Sequence, residues 1–144
     1  RLDTIQAAVL LNKLDIFDDE LKLRNNAANY YSKNLDEFSI IPFIEENNIS
    51  SWAQYSILVK NEKKRNHLVK YLKSHNIPTA IFYKKIFNKL SMYNNSNSNS
   101  NSNNFKVSQK ISKTILSLPM HPYLEKKDQD KIINHINKFA KIND

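Results

Sequence analysis

Glycine and cysteine are both missing from this 144-residue sequence. Without cysteine there are no disulfides, no thiolate zinc or iron–sulfur ligands and no thiol nucleophile. Without glycine a P-loop, a GxGxxG dinucleotide turn and a GxSxG elbow are excluded, because each needs backbone that a Cβ obstructs. Apolar residues never run together for the roughly eighteen positions of a membrane span. Nor does an apolar stretch precede a small-residue cleavage site near the start, so no secretory signal is expected within these residues. Arginine is scarce too, at 3 of the 22 basic residues, with lysine supplying the other 19. Arginine reads guanine edges and clamps phosphates bidentately, so its scarcity argues against a sequence-specific nucleic-acid reader.

What is present is enough for one domain with a real core. The net charge is +8, but the lysines are dispersed. Lys63-Lys64-Arg65, Lys84-Lys85 and Lys126-Lys127 are separated by apolar and acidic residues, the pattern of a solvated basic surface. Asparagine is abundant at 21 residues, many in the Asn/Ser tract from Asn94 to Asn104. That tract has no apolar side chain to offset ordering entropy, so a disordered surface loop is expected there. The sequence begins at Arg1 and its first methionine is Met92, which reads as a piece of something longer.

Periodicity divides the chain. Ile5, Val9, Leu10, Leu14, Phe17 and Leu21 recur at helical steps, predicting two consecutive helices over 2–35, kinked near Asp15 or continuous. Asp3 or Asp15 is a candidate cap, and Asp18-Asp19-Glu20 suits a second helix start. Ser39-Ile40-Ile41 before Pro42 is a short strand candidate, and Trp52 to Val59 is the best strand in the chain. Asn61 predicts an N-cap for a helix over Glu62 to Ser74, closed by His75-Asn76 with Asn76 left-handed. Pro78 to Tyr83 reads as another strand. Val107, Ile111, Ile115 and Leu116 predict a helical stretch, Ser117 to Met120 a short extended piece, and Glu125 to Ile142 a last helix with Ile132, Ile133, Ile136 and Phe139 inward. Short strands among peripheral helices indicate an α+β or α/β layer rather than a bundle.

Few residues stand out chemically. The four histidines, His67, His75, His121 and His135, form no HExxH pattern, and no metal site is expected. Tyr83 ends a predicted strand with Lys84 and Lys85 directly after it. A phenol and two cations at a strand end suit an anionic ligand, and equally suit a capped strand with exposed lysines.

Several stretches together resemble the C-terminal part of the DegT/DnrJ/EryC1/StrS sugar aminotransferases, fold-type-I enzymes that use pyridoxal phosphate. Arg1 to Leu10, RLDTIQAAVL, is similar to that family's R-x-D-x-[IL]-Q-A-A-x-L helix. Ser51 to Ile57, SWAQYSI, is similar to a strand of the branch acting on UDP-linked 3-keto uronic acids. Asn76 to Ile81, NIPTAI, resembles G-I-P-T-x-[IV] with Asn in the Gly place. Leu116 to Pro122 reads LSLPMHP, as the family does before its last helix.

The resemblance implies a small C-terminal domain with a small, mostly antiparallel sheet flanked by helices. Residues 1–36 would connect it to a large cofactor-binding domain, and 37–144 would form the small domain itself. It implies pyridoxal 5'-phosphate as cofactor, bound as a Schiff base to a lysine upstream of Arg1, so that no residue here is catalytic or cofactor-binding. It also implies a cytoplasmic homodimer with sites at the interface, a keto sugar nucleotide as acceptor and an amino acid, glutamate, as donor. Substrate contacts carry over to Arg1, which matches the end of the family's G-x-N-x-R element, and to Tyr83, which matches the tyrosine of its H-Y-P turn. Asn88 and Lys89 match the L-N-K that follows. Phe82 stands where that branch has His and Lys84 where Pro is usual, leaving Lys84 as a candidate anion partner. The isolated segment is expected to be inactive. The competing readings are a non-catalytic basic domain with weak RNA binding, which the low Arg count and missing Gly-containing motifs oppose, and a degenerate gene remnant.

Overall fold

The computed structural model describes residues 2–35, 38–90 and 105–143. Five helices and three strands are present among them: α1 (Thr4–Leu14), α2 (Phe17–Asn34), β1 (Ser39–Ile40), β2 (Tyr55–Val59), α3 (Glu62–Ser74), α4 (Lys106–Thr114), β3 (Ile115–Leu118) and α5 (Lys126–Asn143). The strands form an antiparallel sheet in the order β1-β2-β3. This is the small α+β architecture that the resemblance implied. Arg1 and the Asn94–Asn104 tract lie outside the described residues.

Helix limits follow local chemistry. The Asp3 side chain accepts from the Ile5 N–H at 2.8 Å while Gln6 returns a bond to the Asp3 N–H, a capping box that starts α1. The first two helices are separate, broken at Asp15 and Ile16. Asn61 caps α3 by accepting from Lys64 N at 2.9 Å. At the other end Asn76 has φ 58°. Its N–H donates to Lys73 O, and the Ile77 N–H reaches back to Leu72 O at 3.0 Å. These are the two bonds of a Schellman closure, and Leu72 and Ile77 are both in the core.

The core lies between one face of the sheet and α2, α3 and α5. Tyr55, Ile57 and Val59 alternate inward along β2. They meet Ala28 and Tyr31 of α2, Leu68 and Leu72 of α3, and Ile132, Ile133, Ile136 and Phe139 of α5. Tyr31 and Tyr55 lie 5.0 Å apart between ring centres. The Tyr31 hydroxyl donates to Pro119 O, and burial pushes its ionisation well above the ordinary phenol range.

Three expectations are corrected. Trp52 has φ 46° rather than extended backbone, and β2 starts only at Tyr55. Its indole N–H donates to Asn25 Oδ1 and its carbonyl accepts from Arg24, so bonds to α2 replace a strand ladder. Pro78 to Tyr83 is not a strand: only Ala80 pairs, through reciprocal bonds with Ser117, before the chain turns away. Ile115 and Leu116 belong to β3, not to a helix, because pairing with Leu58 and Ile57 takes them.

Candidate functional site

The Ala80–Ser117 bridge anchors one end of the segment leading to the site. Half-buried Ile81 packs against the core beside it. The chain then turns through residues 82–85 and closes a single 3-10 turn, Phe87–Lys89, in which Lys89 N bonds to Ile86 O and Leu90 N to Phe87 O. Opposite runs α4, which presents Ser108, Ile111 and Ser112 at i, i+3 and i+4, with Ile115 one step further. Between the two lies an open groove of about 1090 Å³.

Tyr83, Lys84 and Asn88 all line this groove, together with Phe82, the residue standing in place of the family's histidine. Tyr83 is 71% exposed, so its hydroxyl is available to a ligand. Asn88 is half-buried, and its buried Oδ1 has no hydrogen-bond partner among the described residues. An acceptor left so at a groove wall is satisfied when a ligand hydroxyl or amide donates to it. Arg1 lies outside the described residues.

Lys85, the second of the two cations after Tyr83, lines the groove as well, whereas sequence reasoning missed the far wall of Phe105, Ile111 and Ile115. The signal was available in part. The helical spacing of Val107, Ile111, Ile115 and Leu116 includes two of the wall residues, Ile111 and Ile115, but does not say what they face. The chemistry of the lining is apolar and aromatic with cationic and hydroxyl groups at one side, suited to an uncharged ring bearing an anion. The lining has no carboxylate to face a pyridine nitrogen, so these residues alone do not fit pyridoxal phosphate.

Elsewhere, three of the four histidines serve packing, while His121 is exposed. His67 meets the Phe139 ring at 5.1 Å, and His75 and His135 lie 4.2 Å apart beside Tyr71. Tyr71 Oη and His135 Nδ1 are 3.2 Å apart, and the His75 Nδ1–H donates to Tyr71 O. Among the described residues no three metal-ligating side chains gather, and no helix is long and apolar enough to cross a membrane.

Residues 1–137 match the model of the DegT/DnrJ/EryC1/StrS aminotransferase family. The chain is 40% identical over 126 residues to the UDP-2-acetamido-2-deoxy-3-oxo-D-glucuronate aminotransferase of Pseudomonas aeruginosa, covering 87% of this chain and 33% of that protein. It is 28% identical to the dTDP-3-amino-3,6-dideoxy-alpha-D-galactopyranose transaminase of Aneurinibacillus thermoaerophilus, over 97% of this chain and 37% of the relative. A crystal structure of a DegT DnrJ EryC1 StrS aminotransferase from Brucella abortus superimposes with a TM-score of 0.86 at 41% identity, covering 97% of this chain and 36% of that one. The chain thus spans about a third of the length of the relatives it matches. Matched along nearly its whole length in sequence and in fold, the chain belongs to the DegT/DnrJ/EryC1/StrS aminotransferase family.

Proposed function

We propose that this chain is the substrate-binding C-terminal portion of an enzyme that moves an amino group from an amino acid, glutamate, to a keto sugar nucleotide. The acceptor we favour is a UDP-linked 3-keto uronic acid, with amino-sugar or surface-polysaccharide synthesis in the cytoplasm as its use. The observation that carries the reading is the convergence of Tyr83, Lys84 and Asn88 on one groove in a chain of this family. The family's pyridoxal phosphate supplies the electron sink when bound, and the lysine that carries it belongs to the part of the enzyme outside this chain.

This portion then binds and orients. The apolar walls exclude water from the sugar, Tyr83 Oη and Asn88 Oδ1 offer one donor and one acceptor to its hydroxyls, and Lys84 Nζ offers a charge to an acidic group. Arg1 is assigned to the same substrate, with its guanidinium suited to the uronate carboxylate. Residues 1–36 connect to the rest of the enzyme. Helix α1 buries none of its own residues, and Ile5 is 77% and Leu11 66% exposed. An apolar helix left so uncovered suits burial against the missing two thirds of the chain and against a second subunit of a homodimer.

The test is 2-oxoglutarate release by the enzyme that contains this chain, given glutamate and the UDP-linked keto sugar. Lys84→Ala is expected to raise the KM for the sugar about tenfold with little change in kcat, since it removes binding rather than chemistry. The 144-residue chain alone is expected to show no turnover. Turnover by that chain, or an unchanged KM, overturns the corresponding assignment. Salt-sensitive oligonucleotide binding with no transaminase activity in the complete enzyme favours the basic interaction domain instead.

A further inference from the structure

A second cavity of about 350 Å³ opens beside the groove and shares Lys84, Lys85, Ile86 and Ser112 with it. Three elements build it. The turn at 84–89 supplies Lys84, Lys85 and Lys89, the first turn of α3 supplies Glu62 and Arg65, and the last turn of α4 supplies Lys113. Five cations therefore surround one small space, against a single carboxylate.

That carboxylate is already engaged. Glu62 Oε1 sits 3.8 Å from the Arg65 guanidinium. Arg65 itself is only 3% exposed, and its Nε–H donates to Asn66 Oδ1 at 2.8 Å and its NH1 to the Ile115 carbonyl at 3.3 Å. It is a fixed cation beneath the cavity. Lys84, Lys85, Lys89 and Lys113 make no ion pair among the described residues. Four ammonium groups gathered without counter-charge repel one another, and a compact polyanion turns that repulsion into attraction. Lysine is a point charge on a flexible stem, suited to phosphate oxygens whose positions differ between ligands.

The adjoining groove adds shape. A ligand that fills both spaces has an uncharged ring portion against the apolar wall and a multiply charged anion a few bonds away. We propose that this cavity is a diphosphate site, holding the diphosphate linkage of the nucleotide sugar through Lys85, Lys89 and Lys113, with Arg65 as the fixed cation below. The nucleotide part rests on the aminotransferase reading above, whereas the anion site rests on the cavity alone.

The test uses this chain titrated calorimetrically with inorganic pyrophosphate, UDP and uridine, at low and at physiological salt. Pyrophosphate and UDP are expected to bind, more weakly as salt rises, and uridine is not. Replacing Lys89 and Lys113 together by Ala is expected to weaken pyrophosphate and UDP by at least about tenfold, since each lysine gives a charge-assisted bond. Replacing Lys126 and Lys127 by Ala removes the same charge from α5 and is expected to leave binding unchanged. An equal loss in both double variants, or no loss in the first while its unfolding midpoint is unchanged, overturns the site. Pyrophosphate bound as tightly as UDP supports the anion site and counts against the nucleotide-sugar reading. UDP bound with no effect of the Lys89 and Lys113 changes overturns the site and leaves that reading standing.

Discussion

Helices α1 and α5 both carry apolar residues at helical spacing, yet they meet opposite fates. Helix α5 buries Gln129, Ile132, Ile133, Ile136, Phe139 and Ala140, whereas α1 buries none of its residues. The difference is one of partners. Helix α5 lies on the inward face of β2 and β3 and is tied to α2 by Gln129 Nε2–H donating to the buried Ala27 carbonyl at 2.9 Å. Helix α1 is tied to α2 by the Lys13 ammonium donating to Glu20, which also accepts from the Tyr123 hydroxyl. Periodicity announces a face that wants covering, but not what covers it.

The largest expected effect comes from breaking the buried side of this comparison. Phe139 is 1% exposed and meets Phe38, His67 and Tyr71. Phe139→Ala is expected to cost about 3–5 kcal/mol, read from urea unfolding, through lost burial plus the cavity left behind. A loss near that of a surface change would mean that α5 is not the core helix.

A smaller effect on the same helix comes through pH. His135 is held below the ordinary imidazole value, first by burial and then by the neighbouring His75, Lys131 and Lys138. The unfolded chain therefore binds this proton more readily than the folded one. Its contribution is fully present above the unfolded value of about 6.5 and is lost as pH falls toward the lower folded value. Unfolding midpoints measured from pH 7.5 down to 5 are expected to fall less for His135→Gln than for the parent chain. An equal fall would assign the acid sensitivity elsewhere.

The smallest effect belongs to α1. Leu11→Ser is expected to change the stability of this chain by less than about 0.5 kcal/mol, because the side chain is already in water. In the complete enzyme the same change is expected to cost more, seen as a lower unfolding midpoint. Equal effects in the two contexts would show that α1 is solvated in the working protein.

Much of the fold was legible because its signals are local. Asp3 and Asn61 cap helices through atoms two or three residues away, and Asn76 closes α3 within its own turn. The misread stretches all depend on distant partners. The extended look of Trp52 gives way to bonds with Asn25 and Arg24. Ile115, placed by spacing on a helix, becomes a strand opposite Leu58. Of the candidate site, Tyr83, Lys84 and Asn88 were named from motif resemblance, while Lys113 and Arg65 were invisible because only packing sets α4 and α3 beside the 84–89 turn.

By itself the sequence determined the start of α1, the start and stop of α3, the inward face of α5, the family and the chemistry it excludes, since these rest on neighbours along the chain and on residue types present or absent. The tertiary structure alone decided which apolar faces are covered, where strands begin, and that five dispersed cations share one cavity. Strand pairing and charge clustering are non-local, and their free energy exists only once distant segments have been brought together.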